Sequence, residues 1–368
     1  MPGLNNLGNT CYMNAVLQSI IHIDEIRNTV ISDKNLDHIN SKNVSNSVCV
    51  EFNKFFNQYC STSNSLSPIK LRHQIIKNNN YFNNLMQHDS HELLVYLYDI
   101  FLTELSRTVN MHIKCNKNVL EYSSVHNKLK SLESGSELYN KYKNKLNYLK
   151  KKYIKDIYII KSLHSWKSFY SKNYSELVNV ICGQLLSTIN CDECMYLSIK
   201  FEPFTNLSLD IPNQPDISLT DCIFNFIQKE KLSDGEEWKC SQCNRVTKSS
   251  KQINYWNLPK ILTIHLKRFI VHNPRNIDKN QCSIDIPIDR LDLSEYISEY
   301  NYENNKTNIY ECIAIICHSG SYFGGHYFAF CKKGIDWYLC NDSTYKKVNL
   351  NYEIINTLGY IMFYRQLE

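Results

Sequence analysis

Two short cysteine pairs constrain this chain more than any other feature. Cys191-x2-Cys194 and Cys240-x2-Cys243 stand on either side of residues 195–239. Each pair can chelate through one tight turn, and four thiolates complete the tetrahedral shell of a structural zinc ion. The spacing therefore predicts one zinc held by Cys191, Cys194, Cys240 and Cys243, clamping two strand ends together. A redox role is the alternative, but redox C-x-x-C motifs come singly and precede a helix. Strand-like segments flank these pairs instead.

The chain carries 15 cysteines in 368 residues. Nothing in it reads as a signal peptide, and its most apolar run, Cys312 to Cys317, is far too short to cross a bilayer. An odd cysteine count without an export signal argues for reduced thiols, a metal site and a nucleophile, in a cytoplasmic or nuclear setting. With 43% apolar and 21% charged residues, the composition is that of a soluble globular protein with a sizeable core.

Hydrophobic periodicity divides the chain. Before residue 106 the spacing is helical: Met13, Val16, Leu17, Ile20 and Ile21; then Phe52, Phe55, Phe56 and Tyr59; then a helix from about Gln87 to Leu105. Residues 33–47 read as a polar loop. After Leu177 come short runs rich in β-branched and aromatic residues, such as Ile261–Phe269, Cys312–Ile316, Tyr327–Cys331, Asp336–Leu339 and Tyr360–Tyr364. Helices first and strands later argue for an α+β architecture.

Between them lies a basic segment, residues 106–175, with 15 Lys and Arg against 4 Asp and Glu. Leu138, Tyr142, Leu146, Leu149, Tyr153, Ile157 and Ile160 recur at nearly helical spacing, which predicts one amphipathic helix with a lysine-rich outer face. The plain reading is a solvated surface helix; the sharper one is a docking surface for an acidic partner or a membrane. The net charge of +5 thus conceals an acidic body, better suited to a basic protein partner than to nucleic acid.

Three stretches carry candidate chemistry. Gly3-Leu4-Asn5-Asn6-Leu7-Gly8-Asn9-Thr10 is a turn-prone loop, with Thr10 placed to cap the helix that Cys11 begins. A thiol on the first turn of a helix is favoured as thiolate by the helix dipole; alone, it reads equally as a buried structural cysteine. Gly324-Gly325-His326-Tyr327 opens a strand with backbone bare enough for a narrow substrate, and the following strand ends in Asn341-Asp342. If the two strands pair, one of these side chains reaches His326, and a nucleophile, a base and an orienting group are all present. In Gln87-His88-Asp89-Ser90-His91-Glu92, Asp89 and Glu92 lie three apart on one helix face, where first-turn acids are ordinary.

Together these motifs resemble the ubiquitin-specific proteases. Gly3 to Asn14 looks like their Cys box, and Gly325-His326-Tyr327-Phe328-Ala329-Phe330 with Trp337-Tyr338 and Asn341-Asp342-Ser343 like their His box. Gln87 to Leu93, Gly183-Gln184-Leu185, the two cysteine pairs, Leu258-Pro259, His265 to Phe269 and Gly359 to Tyr364 follow in the family's order. The resemblance implies a papain-like cysteine protease fold of thumb, palm and fingers, with the zinc in the fingers. It divides a single catalytic domain, 1–368, into a thumb-like helical part (1–105), the basic insertion (106–175), fingers (176–260) and a palm (261–368). It implies hydrolysis of the peptide or isopeptide bond after the C-terminal glycine of ubiquitin, through a thioester and without a catalytic cofactor.

By the same resemblance Cys11 matches the nucleophile, His326 the base, Asn341 the third triad member and Asp342 an assisting acid. Asn6 matches the oxyanion donor. Asp89 and Glu92 match acids that grip the basic ubiquitin tail, and Gly325 and Tyr327 are expected along the substrate's path. Ubiquitin and ubiquitinated proteins are the implied partners. A ubiquitin-binding pseudo-enzyme and a protease for another Gly-Gly-tailed modifier are the alternatives. Two departures stand out: an amide rather than a carboxylate at position 341, and Cys340 where an aromatic is usual. The motifs run to both chain ends, so no accessory domain is expected.

Overall fold

The computed structural model describes residues 1–37, 39, 46–83, 86–214, 217–232, 237–273, 276–301, 307–322 and 324–368, with backbone alone at 172 and 173. An eight-stranded sheet organises the described residues. In spatial order its strands are Thr344–Val348, Asp336–Asn341, Gly324–Lys333, Ile309–Ser321, Gly359–Gln366, Ile261–Leu266 and Leu207–Leu209, with Leu291–Asp292 pairing beside Ile309–Ser321. Neighbours are antiparallel except Leu207–Leu209 against Ile261–Leu266.

The strand period of two sorts the sheet's side chains onto two cores. Ala314, Ile316, Ala329, Cys331, Ile361 and Phe363 face the helical half of the chain. Ile315, Cys317, Phe330, Met362 and Tyr364 face the opposite side, where Leu262, Ile264 and Leu293 join them.

The helix Cys11–His22 lies against this sheet, and every one of its residues is buried, not only the apolar stripe. Burying a helix all round requires partners for its polar side chains. Asn14 donates to the carbonyl of Leu4, Gln18 donates to the carbonyl of Pro2 and accepts from the hydroxyl of Tyr59, and Ser19 donates to Ala15 one turn back. Thr10 precedes the helix, but its hydroxyl accepts from Leu7 N–H within the loop rather than capping the helix end.

Three expectations change in detail. Within residues 33–47, Asp33–Leu36 is a short helix, and 38 and 40–45 lie outside the described residues. The helix expected from Gln87 begins at Ser90 and ends at Glu104, because the carboxylate of Asp89 accepts from His91 N–H and caps it there. The single basic helix is two, Glu137–Lys152 and Ile154–Asn173, interrupted at Tyr153, whose backbone (φ −111°, ψ 28°) leaves the helical region. With Lys117–Lys130 they make a three-helix insertion whose last member packs on the strand Leu197–Phe204. No helix among the described residues is long and apolar enough to cross a membrane.

A second sheet, in the order Leu197–Phe204, Gly183–Cys191, Ser249–Asn257 and Glu230–Lys231, carries the first cysteine pair at one end. The second pair sits on the small hairpin of Lys239–Cys240 and Arg245–Val246.

Candidate active site

The loop before Cys11 and the turn after Asn341 are stitched together. Leu4 N–H donates to the carbonyl of Asp342, and on the loop's other edge Leu66 N–H donates to Gly3 and Asn5 N–H to Leu66. Only glycine fits at position 3, where a Cβ would overlap the backbone of Ser343. Asp342 and Ser343 form the two-residue connection of a hairpin, and Asp342 takes the positive φ, 45°, that such a turn needs. The N-terminal loop thus rests on the end of the strand that carries Asn341.

The strands Gly324–Lys333 and Asp336–Asn341 pair as a hairpin, and Asn341 reaches back to His326. His326 Nε2 lies 2.7 Å from Asn341 Oδ1, an atom that only accepts. Nε2 therefore carries the ring proton, leaving Nδ1 with the lone pair that can take a proton.

Cys11 is 3% exposed. Its sulfur accepts from the side-chain amide of Gln87 at 3.2 Å. The same amide donates to the Gly325 carbonyl at 2.7 Å, and Gly325 N–H donates back to Gln87 Oε1 at 3.0 Å. One side chain thus ties the thiol to the residue preceding His326. It can do so because the helix begins at Ser90, leaving Gln87 ahead of it.

Asp342 does not share the base. Its carboxylate accepts from Asn6 Nδ2 at 3.0 Å and from Asn14 Nδ2 at 2.8 Å. Asn6 Oδ1 in turn accepts from the N–H groups of Gly8 and Thr10 at 3.0 and 3.1 Å. The Asn6 amide is therefore fixed at both ends. Asp342 positions the loop, and Asn341 alone of the pair bonds the imidazole.

The two acids near Gln87 have different hydrogen-bond partners. Asp89 accepts from the Tyr360 hydroxyl at 2.6 Å, and burial raises its carboxyl above the ordinary range. Glu92 is exposed and accepts from the Tyr81 hydroxyl at 2.8 Å. Gly325 lies against His318, where a Cβ would overlap the ring. Burial first, then the charges of Lys279 and His326, push His318 down to about 3, so it stays neutral under the site. Tyr327, expected along the substrate's path, is 3% exposed and packs on His318 with ring centroids 4.4 Å apart. Strand alternation turns it into the core.

The four finger cysteines converge. Their sulfurs lie within 4.8 Å of one another, with Cys191 to Cys243 at 4.0 Å and Cys194 to Cys240 at 3.6 Å. A zinc tetrahedron with sulfur bonds of ~2.3 Å has edges of about 3.8 Å, so the donor set fits. Each pair closes the same turn: Met195 N–H donates to Cys191 O and Asn244 N–H to Cys240 O, both residues having positive φ.

The roles of Gln87 and Asn14 are not announced by the motifs that contain them. The only local sign was a polar side chain at a helix position otherwise apolar (Asn14), or just ahead of a cap (Gln87).

The whole chain aligns with known proteins. It is similar to ubiquitin carboxyl-terminal hydrolase 4 of Saccharomyces cerevisiae, 28% identical over 394 residues that cover 99% of this chain and 39% of that protein. It is equally similar to human ubiquitin carboxyl-terminal hydrolase 2, 28% identical over 373 residues, covering 99% and 55%. The chain therefore spans less than two thirds of either relative. Among solved structures, it shares its fold with a chain of the SAGA Ubp8/Sgf11/Sus1/Sgf73 DUB module bound to ubiquitin aldehyde. There the TM-score is 0.67 at 24% identity, covering 100% of this chain and 70% of that one. The same module bound to monoubiquitin gives 0.68 at 23%, covering 100% and 69%. The family model of the ubiquitin carboxyl-terminal hydrolases matches residues 2–364, and the chain belongs to that family.

Proposed function

We propose that this chain is a thiol-dependent deubiquitinase, hydrolysing the peptide or isopeptide bond after the C-terminal glycine of ubiquitin. The observation that carries the reading is the Gln87 bridge: the Cys11 sulfur and the backbone next to His326 share one amide, and His326 is oriented by Asn341. Nδ1 of His326 takes the Cys11 proton, and the thiolate attacks the glycine carbonyl carbon. The tetrahedral oxyanion receives the second N–H of Asn6 and the Cys11 backbone N–H, a donor of this kind being worth ~2.7–4 kcal/mol. Protonated His326 returns the proton to the leaving amine, and a thioester remains. Water, deprotonated by the same imidazole, releases the ubiquitin carboxylate and the free thiol.

Binding falls to other parts. Exposed Glu92 and half-buried Asp89 offer negative charge for the basic ubiquitin tail, next to the Gln87 bridge. The four finger thiolates would hold a structural zinc, which when bound clamps the two cysteine turns and takes no part in the bond-breaking steps. Ubiquitin as substrate is supported by the family and by the ubiquitin-bound modules that share the fold.

A ubiquitin probe bearing a C-terminal electrophile tests the reading. Covalent labelling that is lost in Cys11→Ala and in His326→Ala is expected. Labelling solely by another Gly-Gly-tailed modifier would replace the substrate, and ubiquitin binding with no labelling would replace the enzyme with a binding protein.

A further inference from the structure

A second thiol–imidazole cluster lies beneath the strands that carry His326 and Asn341, and the reaction above does not use it. His22 closes the helix that Cys11 opens, Cys331 lies in the strand Gly324–Lys333, and Cys340 directly precedes Asn341. All three are buried, at 7%, 0% and 2% exposure. One ring nitrogen of His22 and the two sulfurs lie within 4.8 Å of one another.

We propose that His22, Cys331 and Cys340 form a second metal site, taking a borderline-soft divalent ion such as Zn2+, that ties the Cys11 helix to the two strands of the base and its orienting amide.

The donor chemistry supports this in four ways. First, the ring is set in the tautomer a metal requires. Its Nδ1 lies 2.7 Å from the carbonyl of Gln18, which can only accept, so Nδ1 carries the proton and Nε2 offers its lone pair. Second, two thiolates balance a divalent ion, so the filled site is neutral, as full burial demands. Binding releases the two thiol protons to solvent.

Third, the spacing favours a bridging ion over a disulfide. Cys331 is in register with Tyr338 and Cys340 with Ala329, so the two cysteines are diagonal, not opposite. Diagonal positions are separated by about 7–8 Å, past the 4.4–6.8 Å between Cα atoms that a disulfide usually spans. Sulfurs each ~2.3 Å from a shared ion need to approach only to about 3.8 Å. Fourth, there is an entry path and a candidate for the fourth corner. The Tyr345 hydroxyl lies 3.2 Å from His22 Nε2. A cleft of about 440 Å³, bounded by Met1, Asp24 and Gly334 among others, reaches His22 from the surface. Of the four cations on its wall, Arg27, Lys332 and Arg365 are paired with Asp24, Glu311 and Glu25, and Lys333 is the fourth.

The metal content of the full chain, expressed with zinc and purified without chelator, decides the matter. About two zinc equivalents per chain are expected, falling to about one in Cys331→Ser/Cys340→Ser with the finger cysteines intact. A Cys194→Ser/Cys243→Ser variant should likewise retain about one. Cobalt offers a readout that does not depend on a variant folding: Co2+ replacing zinc in the wild-type chain should give thiolate charge-transfer and tetrahedral d–d absorption that saturates at about two equivalents. A wild-type chain that carries one zinc and saturates with one cobalt overturns the proposal. So does a double Cys331/Cys340 variant, folded by circular dichroism, that keeps the wild-type metal count.

Discussion

The side-chain amide of Asn6 donates to the carboxylate of Asp342 at 3.0 Å, joining residues near opposite ends of the chain. Because Asn14 donates to the other oxygen of the same carboxylate, Asp342 acts on the oxyanion loop while Asn341 acts on His326. The two neighbours therefore serve different parts of the reaction. Replacing Asn6 with Ala should lower kcat on a fluorogenic ubiquitin C-terminal amide by about 10²–10³-fold. Asp342→Ala should fall in the same direction, and the Asn6→Ala/Asp342→Ala double variant should be little worse than Asn6→Ala alone. Asn341→Ala, by contrast, should multiply with either. Additive effects of Asn6 and Asp342 would show that the carboxylate acts elsewhere.

Gln87 should matter more than its lack of acid–base chemistry suggests. In Gln87→Ala the Cys11 sulfur and both backbone groups of Gly325 lose their partner. At ~0.5–1.5 kcal/mol for each net hydrogen bond, a roughly tenfold or greater loss of kcat/KM is expected. Gln87→Glu should do no better, since an ionised carboxylate cannot donate to sulfur or carbonyl. The rate of Cys11 alkylation, measured alongside turnover, reports whether the thiol itself has been disturbed.

Acid should unfold this protein through histidines as well as carboxylates. His318 is pushed down to about 3 by burial, then by Lys279 and His326, and His265 is held well below its ordinary value by burial, then by His91 and Lys267. Both folded values lie below the unfolded one of about 6.5, so the unfolded chain binds protons that the folded chain refuses. Their full stabilisation is present above about pH 6.5 and is lost as the pH falls from there toward the folded values. Each contributes a slope of about 1.4 kcal/mol per pH unit in that window. Urea unfolding from pH 7 to pH 4.5 should show His318→Gln with a shallower slope than wild type, by about one proton. Parallel slopes would mean that His318 is charged in the folded state.

Removing zinc from the fingers should separate binding from chemistry. Chelation, or Cys194→Ser, is expected to lower the thermal transition and raise KM for ubiquitin substrates. Alkylation of Cys11 by a small reagent should continue at the wild-type rate, because the cysteine turns lie on the second sheet and its neighbouring hairpin, whereas the thiol lies on the helix packed against the first sheet. Equal losses in both assays would tie the metal to the fold of the whole molecule.

What could be read without coordinates was what local chemistry dictates. Helical spacing behind Thr10 placed Cys11 at a helix start, and the C-x2-C pairs announced their turns, since two sulfurs three residues apart need no distant partner to be a chelate. The hairpin that brings His326 near Asn341 and Asp342 was legible because a short connection leaves two strands little choice but to pair, whereas the choice between the two side chains was not. The break at Tyr153 was not legible, because the apolar stripe runs straight through it into the helix that packs on the strand Leu197–Phe204. The direction of Asp342 was hidden too: it depends on which groups a positive-φ turn meets, and those come from residues 6 and 14. Gln87 between Cys11 and Gly325, and His22 beside Cys331 and Cys340, are likewise products of sheet register and helix docking. Residue type and spacing in the chain alone settled which groups were available and which short elements would carry them. Which groups meet was left to the burial of one helix against one sheet, because contacts across hundreds of residues leave no periodic trace in the chain.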